Sequence, residues 1–131
     1  MTQHKIKLIL RELTKQDYIG LTTRGNVAIK AALSFLPKNT TVLIPEEGGW
    51  LSSQSLPKKL GLEVQEVKCD GAKIDVHDLE QKLHKHKPAV LLYQNPGGYF
   101  AEQPMEKMYE ICAKNNCLVI LDVSGSIGTA L

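Results

Sequence analysis

A chain of 131 residues with 16 Lys and Arg against 14 Asp and Glu carries a formal charge of +2, and its length predicts one domain spanning residues 1–131. Its hydrophobic share of 43% and charged share of 23% are those of a protein with a packed core, which excludes disorder as the main state. The near-balanced, interspersed charges exclude a nucleic-acid-binding stripe and a polybasic membrane patch, so no nucleic acid and no membrane is expected as a partner.

In chain order, apolar residues at Ile6, Leu8, Ile9, Leu10 and Leu13 predict an amphipathic helix over 5–13. Residues 18–22 read as a short first strand. The Ala-rich run 27–36 is apolar nearly all round and predicts a buried helix stopped by Pro37. The β-branched run 40–44 predicts a strand closed by Pro45, and 51–60 a weaker helix interrupted by Pro57 and closed by Gly61. Alternation over 62–67 predicts a half-buried strand, followed by a turn at Asp70-Gly71.

Asp75, with Asp78 three residues on, starts a helix whose basic end (Lys82, His84, Lys85, Lys87) suits the negative pole of its dipole. Residues 89–93 form an apolar strand and 95–98 a loop. Pro104 opens a helix with Met105, Met108, Tyr109 and Cys112 on one stripe. The unbroken apolar run 117–121 predicts a strand covered on both faces.

Strands alternating with helices imply right-handed crossovers and an α/β fold: a three-layer, open, mostly parallel sheet with helices on both faces. No run approaches the roughly 20 apolar residues of a membrane-spanning helix, and no signal peptide follows Met1. Cys69, Cys112 and Cys117 form no C-x-x-C pair and suit reduced core thiols in a cytoplasmic protein. The four histidines show no ligand spacing, so no metal site is expected.

In an open parallel sheet, ligands bind beyond the carboxyl ends of the strands. Thr22 to Asn26 ends one such segment and enters a helix at once. Gly25 lets the backbone approach a ligand, and the free amides of a helix start favour an anion; ordinary capping is the alternative. Trp50, the single tryptophan, follows Gly48-Gly49 at a strand end and serves either the core or a stacking surface. Asn95 either caps its turn or faces a ligand. Asp122 ends a buried strand, where an unpaired carboxylate is costly. A ligand's protonated ring nitrogen would satisfy it, as would the Ser124 or Ser126 hydroxyl or the Gly125 amide.

The order Thr22-Thr23-Arg24-Gly25-Asn26, Gly48-Gly49-Trp50, Cys69-Asp70-Gly71, Gln94-Asn95-Pro96-Gly97-Gly98 and Asp122-Val123-Ser124-Gly125-Ser126-Ile127-Gly128 resembles the large domain of fold-type-I pyridoxal-phosphate-dependent aminotransferases. Their sugar-aminotransferase and class V branches look closest. The resemblance runs from about Tyr18 to Gly128, and it lies in the order and spacing of the motifs together.

The resemblance implies pyridoxal 5′-phosphate as cofactor and assigns roles by position. Arg24, Gly25 and Asn26 correspond to the phosphate-binding turn, and Trp50 to the aromatic stacked on the pyridine ring. Asn95 corresponds to the asparagine that bonds the ring's phenolic oxygen. Asp122 corresponds to the aspartate that keeps the pyridine nitrogen protonated, making the ring an electron sink. Ser124 corresponds to the small residue against the ring.

The family's Schiff-base lysine lies a few tens of residues beyond the aspartate, whereas this sequence continues for nine residues after Asp122 and has no lysine at a matching position. No catalytic residue is therefore expected within it, and weak, reversible cofactor binding is. The expectation is a partial aminotransferase-like domain that self-associates or meets a complementary chain bearing the lysine. Alternatives from other classes are a non-catalytic cofactor-binding or assembly module and a Rossmann-like domain with another phosphorylated ligand. A missing Gly-x-Gly-x-x-Gly turn and a missing Walker lysine weaken the last.

Overall fold

The computed structural model describes residues 1–127, so Gly128, the end of the last motif, lies outside the described residues. Among the described residues the elements run α1 (Gln3–Thr14), α2 (Gly25–Ser34), β1 (Thr41–Pro45), α3 (Leu51–Lys59), β2 (Glu63–Val67), β3 (Cys69–Asp70), β4 (Lys73–Ile74), α4 (Val76–Lys85), β5 (Ala89–Gln94), α5 (Met105–Lys114) and β6 (Leu118–Asp122). Asp75 caps α4 as its sequence suggests, accepting from the His77 and Asp78 amides at 2.8 and 3.3 Å.

Four strands form one parallel sheet in the order β2-β1-β5-β6. Alternate residues of each strand face opposite ways, which builds two cores. On one face Val42, Ile44, Val90, Leu92 and Ile120 pack with Ile29 and Leu33 of α2 and Leu56 of α3. On the other, Leu43, Leu91, Tyr93, Val119 and Leu121 pack with Leu79 and Leu83 of α4 and Met108, Ile111 and Cys112 of α5. This is the expected three-layer α/β arrangement. β3 and β4 form a small antiparallel hairpin beside it, turned by Gly71 and Ala72, both at positive φ. No helix among the described residues is long and apolar enough to cross a membrane.

The amphipathic helix expected over residues 5–13 does form, as α1, and none of its residues is buried among the described ones. Four expectations are corrected. Residues 18–22 are not a strand: no ladder partner lies beside them, and Tyr18 is 96% exposed. α2 is not buried all round; only Ile29 and Leu33 are, because the sheet lies on one side of it. Pro57 does not interrupt α3 but sits buried within it, and the helix closes where the Leu60 amide donates to the Leu56 carbonyl at 3.1 Å. β6 is not covered on both faces: no residue of it is fully buried, and Leu118 is 63% exposed. As the outermost strand it has β5 on one side alone.

Candidate functional site

Because the sheet is parallel, Pro45, Val67, Gln94 and Asp122 end their strands along one edge. There a cavity of about 540 Å³ is lined by Arg24, Gly25, Asn26 and Ile29 of the α2 start, Trp50, Leu51 and Ser52 of the α3 start, and Asp122 and Ser124 after β6. Six of the seven residues singled out in the sequence thus meet at one opening. An apolar cleft of about 370 Å³ continues from it between α2 and β6, past Ala28, Ala32, Ile120 and Ile127.

The α2 start leaves backbone amides open. Arg24 is extended at φ −154° and holds the position before the helix, yet no side chain caps it. The Val27 and Ala28 amides donate to the Arg24 carbonyl, both at 3.1 Å, while those of Gly25 and Asn26 have no acceptor among the described residues. A Cβ built on Gly25 would meet nothing within 4 Å, so the opening in front of these amides is wide. The α3 start, also without a side-chain cap, opens on the same cavity.

Asp122 stands at the last rung of the β5–β6 ladder, opposite Gln94. Its Oδ1 accepts from the Ser124 amide at 2.9 Å and from the Ser124 hydroxyl. Of the groups that the sequence offered to this carboxylate, a ligand's ring nitrogen, the Ser124 or Ser126 hydroxyl or the Gly125 amide, the Ser124 hydroxyl is the one seen here, on Oδ1, and Oδ2 takes no hydrogen bond among the described residues.

Trp50 is 42% exposed, with its ring edge-on to Tyr99 at a centroid separation of 5.3 Å. Its loop is held by a close backbone approach. Gly48, at φ +77°, accepts at its carbonyl from the Gly98 amide at 2.8 Å, and a Cβ there would stand 2.6 Å from the Ala72 Cβ.

Asn95 is the residue that the structure does not bring into the lining of the cavity. It is buried, and its Oδ1 accepts from the Gln103 amide at 2.9 Å, so the turn-holding alternative describes that oxygen. Its main chain nonetheless touches the site: the Asn95 amide donates to the Asp122 carbonyl at 3.3 Å, and the Ser126 hydroxyl to the Asn95 carbonyl at 2.8 Å. Only Nδ2 remains for a ligand oxygen.

Ile29, Leu51, Ser52 and Tyr99 were not singled out in the sequence. A signal for Tyr99 existed, an aromatic directly after Gly97-Gly98; none marked the others. Nearby, Cys69 lies behind the same loop, its amide donating to Glu46 Oε1 at 2.7 Å, and burial pushes its thiol pKa up.

Residues 10–124 match the family model of aminotransferase class I and II. Over 113 residues the chain is 27% identical to the alanine–glyoxylate aminotransferase of Felis catus, covering 83% of this chain and 27% of that protein. Among solved structures, the alanine–glyoxylate aminotransferase from Nostoc sp. superposes with a TM-score of 0.78 at 19% identity, over 98% of this chain and 36% of that one. A serine palmitoyltransferase variant from S. paucimobilis with a bound PLP–myriocin aldimine superposes with a TM-score of 0.77 at 15% identity, over 93% of this chain and 32% of that one. The chain spans about a quarter of the length of the curated relatives it matches. A parallel sheet with its polar residues gathered at the carboxyl edge is thus joined to a family match that takes in all of that sheet, and the chain belongs to the class I and II aminotransferases.

Proposed function

We propose that this chain is the cofactor-cradling part of a pyridoxal-phosphate-dependent aminotransferase. The observation that carries the reading is the shared lining of one cavity of about 540 Å³ by Arg24, Gly25 and Asn26, by Trp50 and by Asp122. The residues fit that cofactor: two acceptor-free amides and a guanidinium suit its phosphate, an indole suits its ring, and a carboxylate oxygen suits its ring nitrogen. When bound, the cofactor supplies an electron sink for carbanion chemistry next to the amino group of a substrate.

The chain's own residues hold and tune. Arg24 and the α2 amides take the phosphate charge, and the positive end of the helix dipole adds to them. Trp50 covers one face of the ring. Asp122 Oδ2 holds a proton on the ring nitrogen, while Ser124 fixes Oδ1 and keeps the carboxylate from rotating away. Ser124 would lie small against the ring, and Asn95 Nδ2, its oxygen being taken by the Gln103 amide, would be left to donate to the phenolic oxygen. No lysine is among the described residues that line the cavity, so the amine that captures the cofactor comes from another segment or from a partner chain. We place the protein in the cytoplasm, in keeping with its three unpaired thiols.

Titration of the isolated chain with pyridoxal phosphate tests this. Weak, saturable binding is expected, with no transamination and no single lysine labelled after borohydride reduction and peptide mapping. Asp122→Ala and Trp50→Ala should each weaken binding on the order of tenfold, as expected for loss of a charge-assisted bond or a stacked ring. Binding that is indifferent to both substitutions would sink the reading.

A further inference from the structure

Gln103 belongs to no motif of the sequence and lines neither of the cavities described above, yet it is 4% exposed and its side-chain oxygen and nitrogen and its backbone N–H are all used. Its Oε1 accepts from the Ile74 amide at 2.9 Å, its Nε2 donates to the Ala72 carbonyl at 2.8 Å, and its own amide donates to Asn95 Oδ1 at 2.9 Å. One side chain thus satisfies a donor and an acceptor on the β3–β4 hairpin. The amide of the same residue sets which way round the Asn95 carboxamide lies, leaving Nδ2 on the other side.

The hairpin in turn bears on the Trp50 loop. Ala72, held by Gln103, lies where a Cβ on Gly48 would come within 2.6 Å of it, and a Cβ on Gly97 would stand 2.5 Å from both the Ala72 carbonyl and Gln103 Nε2. Gly97 and Ala101 exchange backbone hydrogen bonds at 2.8 and 2.9 Å, closing the short loop that carries Tyr99. The Gly98 amide reaches the Gly48 carbonyl at 2.8 Å. Segments 71–74 and 95–101 therefore meet on one buried carboxamide, and segment 46–50 closes on both of them through Gly48, with the ring of Trp50 against the ring of Tyr99.

We infer that Gln103 is a positioning residue of the site: by clamping the β3–β4 hairpin against the Gly97-Gly98 turn it fixes the Trp50–Tyr99 pair and the orientation of Asn95. Its effect on a ligand rests on the proposed cofactor reading; its effect on Trp50 does not. The hub shares no hydrogen bond with the α2 start, so it acts on the ring side of the cavity and leaves the phosphate side alone.

The single tryptophan makes this measurable in the whole chain. The near-ultraviolet circular dichroism of the Trp50–Tyr99 pair, identified by its loss in Tyr99→Phe and Trp50→Phe, is the first readout. Gln103→Leu keeps the volume and removes both hydrogen-bonding groups; it should abolish that signal while far-ultraviolet dichroism is retained. Gln103→Glu supplies a second, reversible test. Burial raises a carboxyl's pKa, and the neutral acid carries the same donor and acceptor as the amide. That variant should therefore match the wild type near about pH 5 and Gln103→Leu near about pH 8, while the wild type stays unchanged between them.

The second readout is binding of pyridoxal phosphate, expected to weaken on the order of tenfold in Gln103→Leu while inorganic phosphate binds as in the wild type. A wild type that binds no pyridoxal phosphate would sink the cofactor reading and leave the dichroism to decide the positioning. An unaltered Trp50 signal in Gln103→Leu, or in Gln103→Glu across that pH range, would overturn the inference.

Discussion

β5 and β6 are hydrogen-bonded neighbours of similar composition, Ala-Val-Leu-Leu-Tyr-Gln against Leu-Val-Ile-Leu-Asp, yet every residue of β5 is buried and none of β6 is. β5 lies between two strands and under helices on both faces; β6 has a strand on one side, with α5 behind it and the open cleft toward α2 in front. Burial in this sheet is set by how many neighbours a strand has, and apolar content decides only that a strand forms. The difference also locates the chemistry. Asp122 sits at the end of the half-covered strand, where a carboxylate still faces an open cavity.

The comparison breaks most sharply by deletion in the centre. Leu91→Ala in β5 should lower stability by about 3–4 kcal/mol in urea unfolding, since Leu91 is fully enclosed and its cavity cannot collapse onto solvent. Gly48→Ala should cost about 1–3 kcal/mol through strained positive φ, and more as the Cβ meets Ala72 and the Gly98 amide. It should also blunt the Trp50 dichroism, which Leu91→Ala should leave in place while the protein stays folded.

On the β6 side the same kind of deletion should do little. Leu118→Ala should change stability by about 0.5 kcal/mol at most. Its association behaviour is where β6 should speak. An apolar edge strand without a charge or proline before Asp122 invites pairing with another chain, so sedimentation at micromolar concentration should show a dimer or larger species. Leu118→Lys should shift that population toward monomer; a monomeric wild type would show that the edge is closed by other means.

The smallest effect belongs to α5, away from both strands. Glu110 is held below the ordinary carboxylate range by its hydrogen bond to Lys114 at 2.7 Å and by Lys107. A carboxyl with a lowered folded-state pKa adds stability above its unfolded pKa and loses it as pH falls through about 4 and below. Glu110 is fully exposed, so solvent screens the pair, and Glu110→Gln should lower the neutral-pH midpoint only slightly and leave stability in acid, where the wild-type carboxyl is already protonated, unchanged.

Much of this was legible in the residues themselves. Pro45, Gly61 and Asp75 punctuate the elements where expected, and the odd–even split of Val42, Leu43 and Ile44 is already the split between the two cores. Arg24 to Asn26, Trp50 and Asp122 were findable because each is an unusual residue at a strand end or helix start. Gln103 was not, since a glutamine before a proline looks like any loop residue until Ala72, Ile74 and Asn95, up to 31 positions away, are folded against it. Asn95 stood out in the sequence, but its oxygen is spent on Gln103.

The sequence by itself determined which segments become strands and helices, which side of each is apolar, and which residues wait at the strand ends, because those properties follow from local periodicity, turn chemistry and charge. Only the tertiary structure decided the order β2-β1-β5-β6, and with it that β6 is an edge, that residues 18–22 find no ladder, and that Arg24, Trp50 and Asp122 share one cavity. Pairing between strands tens of residues apart is a contest among long-range contacts. A strand's own residues state how much surface they would bury but not how many neighbours they will have.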